Sequence, residues 1–163
     1  MRKLLREDVN LNPASTSSRR HYVVHIRYTE LFLNYAEAAN EAFGPDGTGT
    51  AGYSARAVIA AIRKRAGITQ PDAYLAGITS KDQMRDLIKN ERRLELCFEG
   101  FRFWDIRRWK DPITTAATGV VISPTNVFSY RTVENRVFAN HMYYGPLPNG
   151  EVLKANLVQN QGY

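Results

Sequence analysis

Glu91-Arg92-Arg93-Leu94-Glu95-Leu96-Cys97-Phe98-Glu99-Gly100-Phe101-Arg102-Phe103-Trp104-Asp105-Ile106-Arg107-Arg108-Trp109 is at once the most charged and the most aromatic stretch of this 163-residue chain. Rings at this density favour burial, whereas carboxylates and guanidinium groups lose heavily on desolvation unless they are paired. Helical spacing reconciles the two demands. Arg92 with Glu95, Glu99 with Arg102, Arg102 with Asp105 and Asp105 with Arg108 are all i,i+3 neighbours. The stretch predicts an ion-pair ladder laid through a nearly all-round apolar helix, with Trp104 and Trp109 packed in the core. Gly100 interrupts it and predicts a bend or a helix-to-helix break. The residues expected to carry this architecture are Glu91, Arg92, Arg93, Glu95, Glu99, Gly100, Arg102, Trp104, Asp105, Arg108 and Trp109.

Working upstream, Ser80-Lys81-Asp82-Gln83 reads as a capping box, and Met84, Leu87 and Ile88 begin the apolar stripe that runs into the ladder. Two earlier helices form a hairpin of tetratricopeptide size. The first sets Tyr28, Leu31, Tyr35, Ala38 and Ala42 on one face and ends at Gly44-Pro45. The second runs from about Ser54 to Ala66, with Ala55, Ile59, Ile62 and Ala66 on one face, Arg63 to Arg65 complementing its dipole, and Gly67 as C-terminal cap. A solitary hairpin cannot bury its apolar faces, so further repeats are expected upstream. The glycine-rich link from Gly44 to Gly52 reads as a flexible loop. His21 to Arg27 favours a short strand, and residues 1–21 form an irregular entry segment.

Downstream of Asp111-Pro112 the residues turn β-branched and aromatic. Tyr130–Val133 and Arg136–Phe138 could pair around Glu134-Asn135, and the tail from Gly145 reads as turn and short helix. The expectation is a mainly α fold: a tetratricopeptide-like hairpin, a long signature helix and a small irregular or β-hairpin C-terminal region. Residues 1–163 are taken as one domain.

Composition and spacing exclude several function classes. The net charge is +6, but the cations are dispersed and most in the ladder have acidic neighbours, so nucleic acid is not an expected partner. The glycine-rich loop lacks the Gly-Lys-Ser/Thr ending of a phosphate loop, and Asp46 alone cannot hold calcium. His21, His25 and His141 form no metal-ligand cluster. Cys97, the only cysteine, allows no internal disulfide and reads as packing. No segment approaches the ~20 apolar residues of a membrane span, and the charged start Met1-Arg2-Lys3 is not followed by the apolar run of an export signal. Glu91 and Glu95 are spaced as a glycosidase pair could be, but guanidinium neighbours oppose the raised pKa a general acid needs. Trp104, Trp109, Tyr143 and Tyr144 could stack on a sugar ring. The chain is expected to catalyse nothing and to need no cofactor.

The ladder also carries a resemblance. Its Glu-Arg-Arg-x-Glu-Leu-x-Phe-Glu-Gly-x-Arg-x-Trp-Asp-x-x-Arg-Trp pattern resembles the SusD/RagB family of nutrient-binding lipoproteins of the Gram-negative outer membrane. Arg27 to Ala38 is similar to that family's Arg-Tyr-Ala-Glu…Asn-Tyr-Ala-Glu-Ala helix, with Thr29 in place of alanine. Ile62 to Gly67 resembles its Arg-x-Arg-Ala-Gly helix end, with Ala60 where asparagine is usual. Pro146-Leu147-Pro148…Asn160-Gln161-Gly162-Tyr163 resembles its C-terminal segment, with Leu157 and Gln161 replacing prolines.

The resemblance implies a glycan- or nutrient-binding component at the cell surface that serves a TonB-dependent outer-membrane transporter. It implies a mostly helical fold with tetratricopeptide-type pairs. The match covers the closing portion of a typical member, so a truncated form, or one that pairs with a separate partner, is expected. The export signal, the lipid-bearing cysteine and the earlier repeats have no counterpart, and Cys97, lying mid-helix, is not that lipidation site. No ligand-binding residue carries over. The alternatives are a helical interaction module without sugar binding and a glycosidase using Glu91 and Glu95.

Overall fold

Among the described residues, six α-helices and one two-stranded sheet make up the fold. The computed structural model describes residues 3, 6–20, 22 and 24–163. The chain divides into two compact units, Met1–Lys89 and Asn90–Tyr163, the division falling inside helix α4 (Lys81–Glu95).

In the first unit, α1 (Tyr28–Phe43) and α2 (Ala55–Arg65) pack against each other. α1 ends at Gly44, whose φ of 77° no β-carbon opposes and whose N–H donates to the Asn40 carbonyl. The buried stripe of α1 is Leu33, Ala36, Ala39 and Asn40, not the expected Tyr28, Leu31 and Ala38. Both faces of α1 are apolar, and the one that is buried lacks the bulky tyrosines of the other, while α2 buries Val58, Ile59 and Ile62. Ser54 caps α2, its hydroxyl accepting from the Ala57 N–H at 3.1 Å. Leu75, Ile78, Met84, Leu87 and Ile88 complete this apolar core.

The glycine-rich link is held in place, contrary to the expectation of a flexible loop. Tyr35 donates its hydroxyl to the Tyr53 carbonyl at 2.6 Å. Arg56 pairs with Asp46 at 2.6 Å and donates to the carbonyls of Leu75 and Ile78. The short helix α3 (Ala73–Ala76) escapes sequence periodicity; Asp72 caps it and pairs with Arg63. The capping box of α4 forms as expected: the Gln83 N–H donates to Ser80 Oγ, and the Ser80 N–H to Gln83 Oε1, each at 3.2 Å. Of the expected strand from His21 to Arg27, His21 and Val23 lie outside the described residues, and the others form no strand.

In the second unit, the last turn of α4 leads through Phe98 (φ 64°) and Gly100 (φ 85°) into α5 (Phe101–Arg108), so the expected break at Gly100 is present. Strands β1 (Ala117–Ile122) and β2 (Phe128–Glu134) pair antiparallel, with Val120 opposite Tyr130 and Ile122 opposite Phe128. The hairpin expected around Glu134-Asn135 is therefore shifted upstream. Its turn is built at Ser123-Pro124-Thr125-Asn126, where Asn126 takes a positive φ of 59° and Ser123 Oγ accepts from the N–H groups of Thr125 and Val127. A 3-10 turn (Asn140–Tyr143) and α6 (Asn149–Ala155) complete the tail.

Candidate functional site

The most constrained chemistry in the second unit is a buried carboxylate. The positive-φ residues Phe98 and Gly100 reverse the chain between α4 and α5, so that Arg92 meets Asp105 thirteen residues later in sequence. Arg92 Nε donates to Asp105 Oδ2 at 2.7 Å, with the two side chains 5% and 4% exposed. Arg108 Nε reaches Oδ1 at 3.1 Å from the next turn of α5. The Phe101 ring lies 5.4 Å from the Arg92 guanidinium carbon. Both oxygens of Asp105 are thus engaged by cations, which suits an architectural tie better than proton transfer.

The signature residues are distributed unevenly about this tie. Glu91, Arg92 and Asp105 are buried; Glu95, Glu99 and Trp109 are half-buried; Arg93, Gly100, Arg102 and Arg108 are exposed. Asp105–Arg108 forms as spaced, but Asp105 takes Arg92 in place of Arg102. The break at Gly100 takes Glu99 and Arg102 out of one continuous helix, whereas Arg102 and Asp105 share α5, where Asp105 turns inward to Arg92 and Arg102 stays exposed. Arg93 donates instead to Asn90 Oδ1 at 3.0 Å.

The expected burial of Trp104 is a clear miss: its side is 66% exposed, and its ring stacks edge-on with the half-exposed Phe103 at 5.0 Å. α5 is eight residues long and buries Asp105, which turns the adjacent Phe103 and Trp104 outward. Guanidinium groups cover some of these rings: Arg107 lies 3.5 Å from the Phe103 centroid, and Arg108 lies 4.6 Å from that of Trp109.

A second arrangement lies at the C-terminus, where the tail is clasped onto the segment around the 3-10 turn. Gln159 makes a double hydrogen bond with Leu147, accepting from its N–H at 2.7 Å and donating to its carbonyl at 2.9 Å. Asn160 Nδ2 donates to the Gly145 carbonyl at 2.6 Å, and the Tyr163 hydroxyl to that of Tyr144 at 2.9 Å. The His141 and Tyr163 rings meet edge-to-face at 5.0 Å. Gly162, at φ 95°, fits against His141 where a β-carbon would come within 2.7 Å. This clasp frames an open depression of about 570 Å3 lined by Asn140, His141, Tyr144, Asn160, Gln161 and Gly162. A smaller recess of about 230 Å3, in the first unit, is lined by Tyr35, Phe43, alanines and threonines of α1 and the loop after it.

The sequence singled out Asn160 to Tyr163 only as a motif; Gln159 was missed, because a side chain that satisfies a distant backbone leaves no periodic signal. Charged ties in the first unit differ in exposure: Arg63–Asp72 is mostly buried, whereas Arg85–Glu41 stands at the surface. The hydrogen bond from Arg85, with help from Lys81, holds the Glu41 carboxyl down to about 2, against the opposing effect of burial. Arg63 likewise holds Asp72 below the usual carboxylate range. Among the described residues, no three His, Cys, Asp or Glu side chains are grouped to hold a metal, and no helix is long and apolar enough to cross a membrane.

Residues 1–163 match the profile of the SusD family from end to end. The chain belongs to the SusD family. It is similar to SusD-like protein P2 of Formosa agariphila, with 31% identity over 146 residues, covering 86% of this chain and 26% of the relative. SusD-like protein P38 of the same organism is 32% identical over 106 residues, or 61% of this chain and 19% of that one. A crystal structure of a SusD-like protein from Bacteroides fragilis superposes with a TM-score of 0.66 at 33% identity, over 86% of this chain and 26% of its own. The SusD-family chain therefore spans about a quarter or less of the length of these relatives.

Proposed function

We propose that this SusD-family chain is a non-catalytic part of a nutrient-binding component at the outer membrane, one that takes up glycan together with a TonB-dependent transporter. In this reading, residues 1–163 act as one domain, the closing helical portion of that component. The end-to-end family match carries the proposal. The engaged carboxylate of Asp105 fits it, since a glycosidase needs a carboxyl free to exchange a proton. Calorimetric titration against a panel of oligosaccharides tests the binding role. Saturable heat from one glycan class supports it, and silence across the panel counts against it.

A second reading, a helical interaction module without sugar binding, is favoured by one observation: the outward-facing Phe98, Phe103 and Trp104 leave an aromatic surface suited to another protein. Trp104→Ala separates the two. Loss of transporter co-purification in the variant, with no glycan heat from the parent chain, supports the second reading; glycan heat in both supports the first.

A further inference from the structure

We propose that the depression framed by the C-terminal clasp is a subsite for one neutral sugar ring of an oligosaccharide. The inference rests on the nutrient-binding reading above and assigns it a place. The lining residues Asn140, His141, Tyr144, Asn160, Gln161 and Gly162 include no Asp, Glu, Lys or Arg. An ion bound there would meet no side chain of fixed opposite charge, whereas the amides and rings suit a neutral ligand. The Asn140 and Gln161 amides make no hydrogen bond among the described residues, and each offers donors and an acceptor in the fork that adjacent hydroxyls match.

The Tyr144 ring is 72% exposed at the rim and presents an apolar face for the C–H side of a sugar, with its hydroxyl at the wet end. The floor is fixed in advance. Asn160 is tied to Gly145, the Tyr163 hydroxyl to the Tyr144 carbonyl, and the His141 ring is held between Tyr163 and Gly162. Such ties reduce the ordering cost of binding. The volume, about 570 Å3, falls in the range of about 300–1,000 Å3 typical of small-molecule sites. Because the depression is open, a single ring would be held at millimolar affinity, and occupancy would depend on further rings bound elsewhere.

The test is a titration of the isotope-labelled full chain, followed by amide NMR, with cellotriose, mannotriose and galactotriose, and with trigalacturonic acid as the anionic counterpart. Concentrations reach about 50 mM, above the millimolar range that an open site implies. The expected result is saturable shifts in the Asn140 and Gln161 side-chain amides and in backbone 140–145 and 159–163 for at least one neutral trimer. Tyr144→Ala and Gln161→Ala should each weaken it about five- to tenfold. Both side chains are exposed and the clasp uses the Tyr144 backbone carbonyl, so these variants keep the fold. Shifts confined to other residues, or affinity unchanged in both variants, would overturn the subsite and leave the nutrient-binding reading standing. Equal or tighter binding of the acidic trimer overturns the neutral class, and no shift with any sugar overturns both.

Discussion

The two units are held together by different chemistry. In the first, the buried side chains are aliphatic, from Leu33, Val58 and Ile59 to Met84 and Ile88, with Asn40 and Asp72 among them. In the second, the buried positions are Glu91, Arg92, Leu96 and Asp105, while Phe98, Phe103, Trp104, Val120, Phe128 and Tyr130 stand exposed. One unit is ordered by expelling water from apolar surface. The other is ordered by hydrogen-bonded ties: Arg92 to Asp105, Gln159 to Leu147, Asn160 to Gly145 and Tyr163 to Tyr144. An apolar core tolerates shifts in packing, whereas a buried ion pair demands its partner and penalises its loss.

The sharpest way to break this contrast is to remove the buried anion. Asp105→Ala removes the buried carboxylate that accepts from Arg92 and Arg108 and should cost about 4 kcal/mol of stability in urea unfolding. Hydrogen exchange should show the loss in α5 and not in α2. Replacing both partners by apolar residues, Arg92→Met with Asp105→Leu, should cost less than the single change, because the buried guanidinium goes together with its carboxylate. Ile59→Ala is the counterpart in the first unit, where the side chain is fully buried in apolar surroundings. It should cost about 3 kcal/mol, with the exchange loss in α1 and α2. Equal losses spread over both units from either variant would dissolve the distinction.

How much of this was legible follows the same division. Local rules worked where the structure obeys local physics: the Ser80–Gln83 box, the Gly44 stop, the second helix (expected from about Ser54 to Ala66, found at Ala55–Arg65) and the break at Gly100. They failed where a tie spans distance. Arg92 and Asp105 are too far apart in sequence for any helical spacing, so the ladder gave Asp105 its true partner Arg108 but put Arg102 in the place that Arg92 takes. The rule that rings favour burial misplaced Trp104, because a short helix that turns a carboxylate inward must turn its neighbours out. The hairpin slipped because the turn residue with positive φ is Asn126, not Asn135. The depression at the C-terminus escaped notice because its walls come from two segments joined by side-chain-to-backbone bonds and a ring contact, none of which has a sequence period.

The tail offers a medium-sized test of whether ties alone order the second unit. Gly162→Ala forces a β-carbon into a positive-φ position and against His141. It should cost about 1–3 kcal/mol. Exchange at the Leu147 N–H, which Gln159 accepts, reads this locally: faster exchange is expected if the clasp acts as one piece. Unchanged exchange at Leu147 would mean that the ties act independently.

The smallest effect belongs to the exposed charges of the first unit, and it measures how far surface pairs differ from the buried one. Glu41 pairs with Arg85 at 2.5 Å and with Lys81 at 3.1 Å, yet its side chain is 40% exposed. Its carboxyl is held down to about 2 in the folded chain, first by the hydrogen bond from Arg85. The unfolded value is about 4.3, so the unfolded chain takes up the proton first as pH falls. The contribution is therefore complete above that value and drains away as pH drops towards 2. Solvent screening keeps it to about 0.2–1 kcal/mol. Urea unfolding of wild type and Glu41→Gln should differ by that amount at neutral pH and converge in strong acid. A gap of the size expected for Asp105→Ala would place this pair with the buried ties after all, and the contrast between the two units would have to be redrawn on burial of partners instead of on composition.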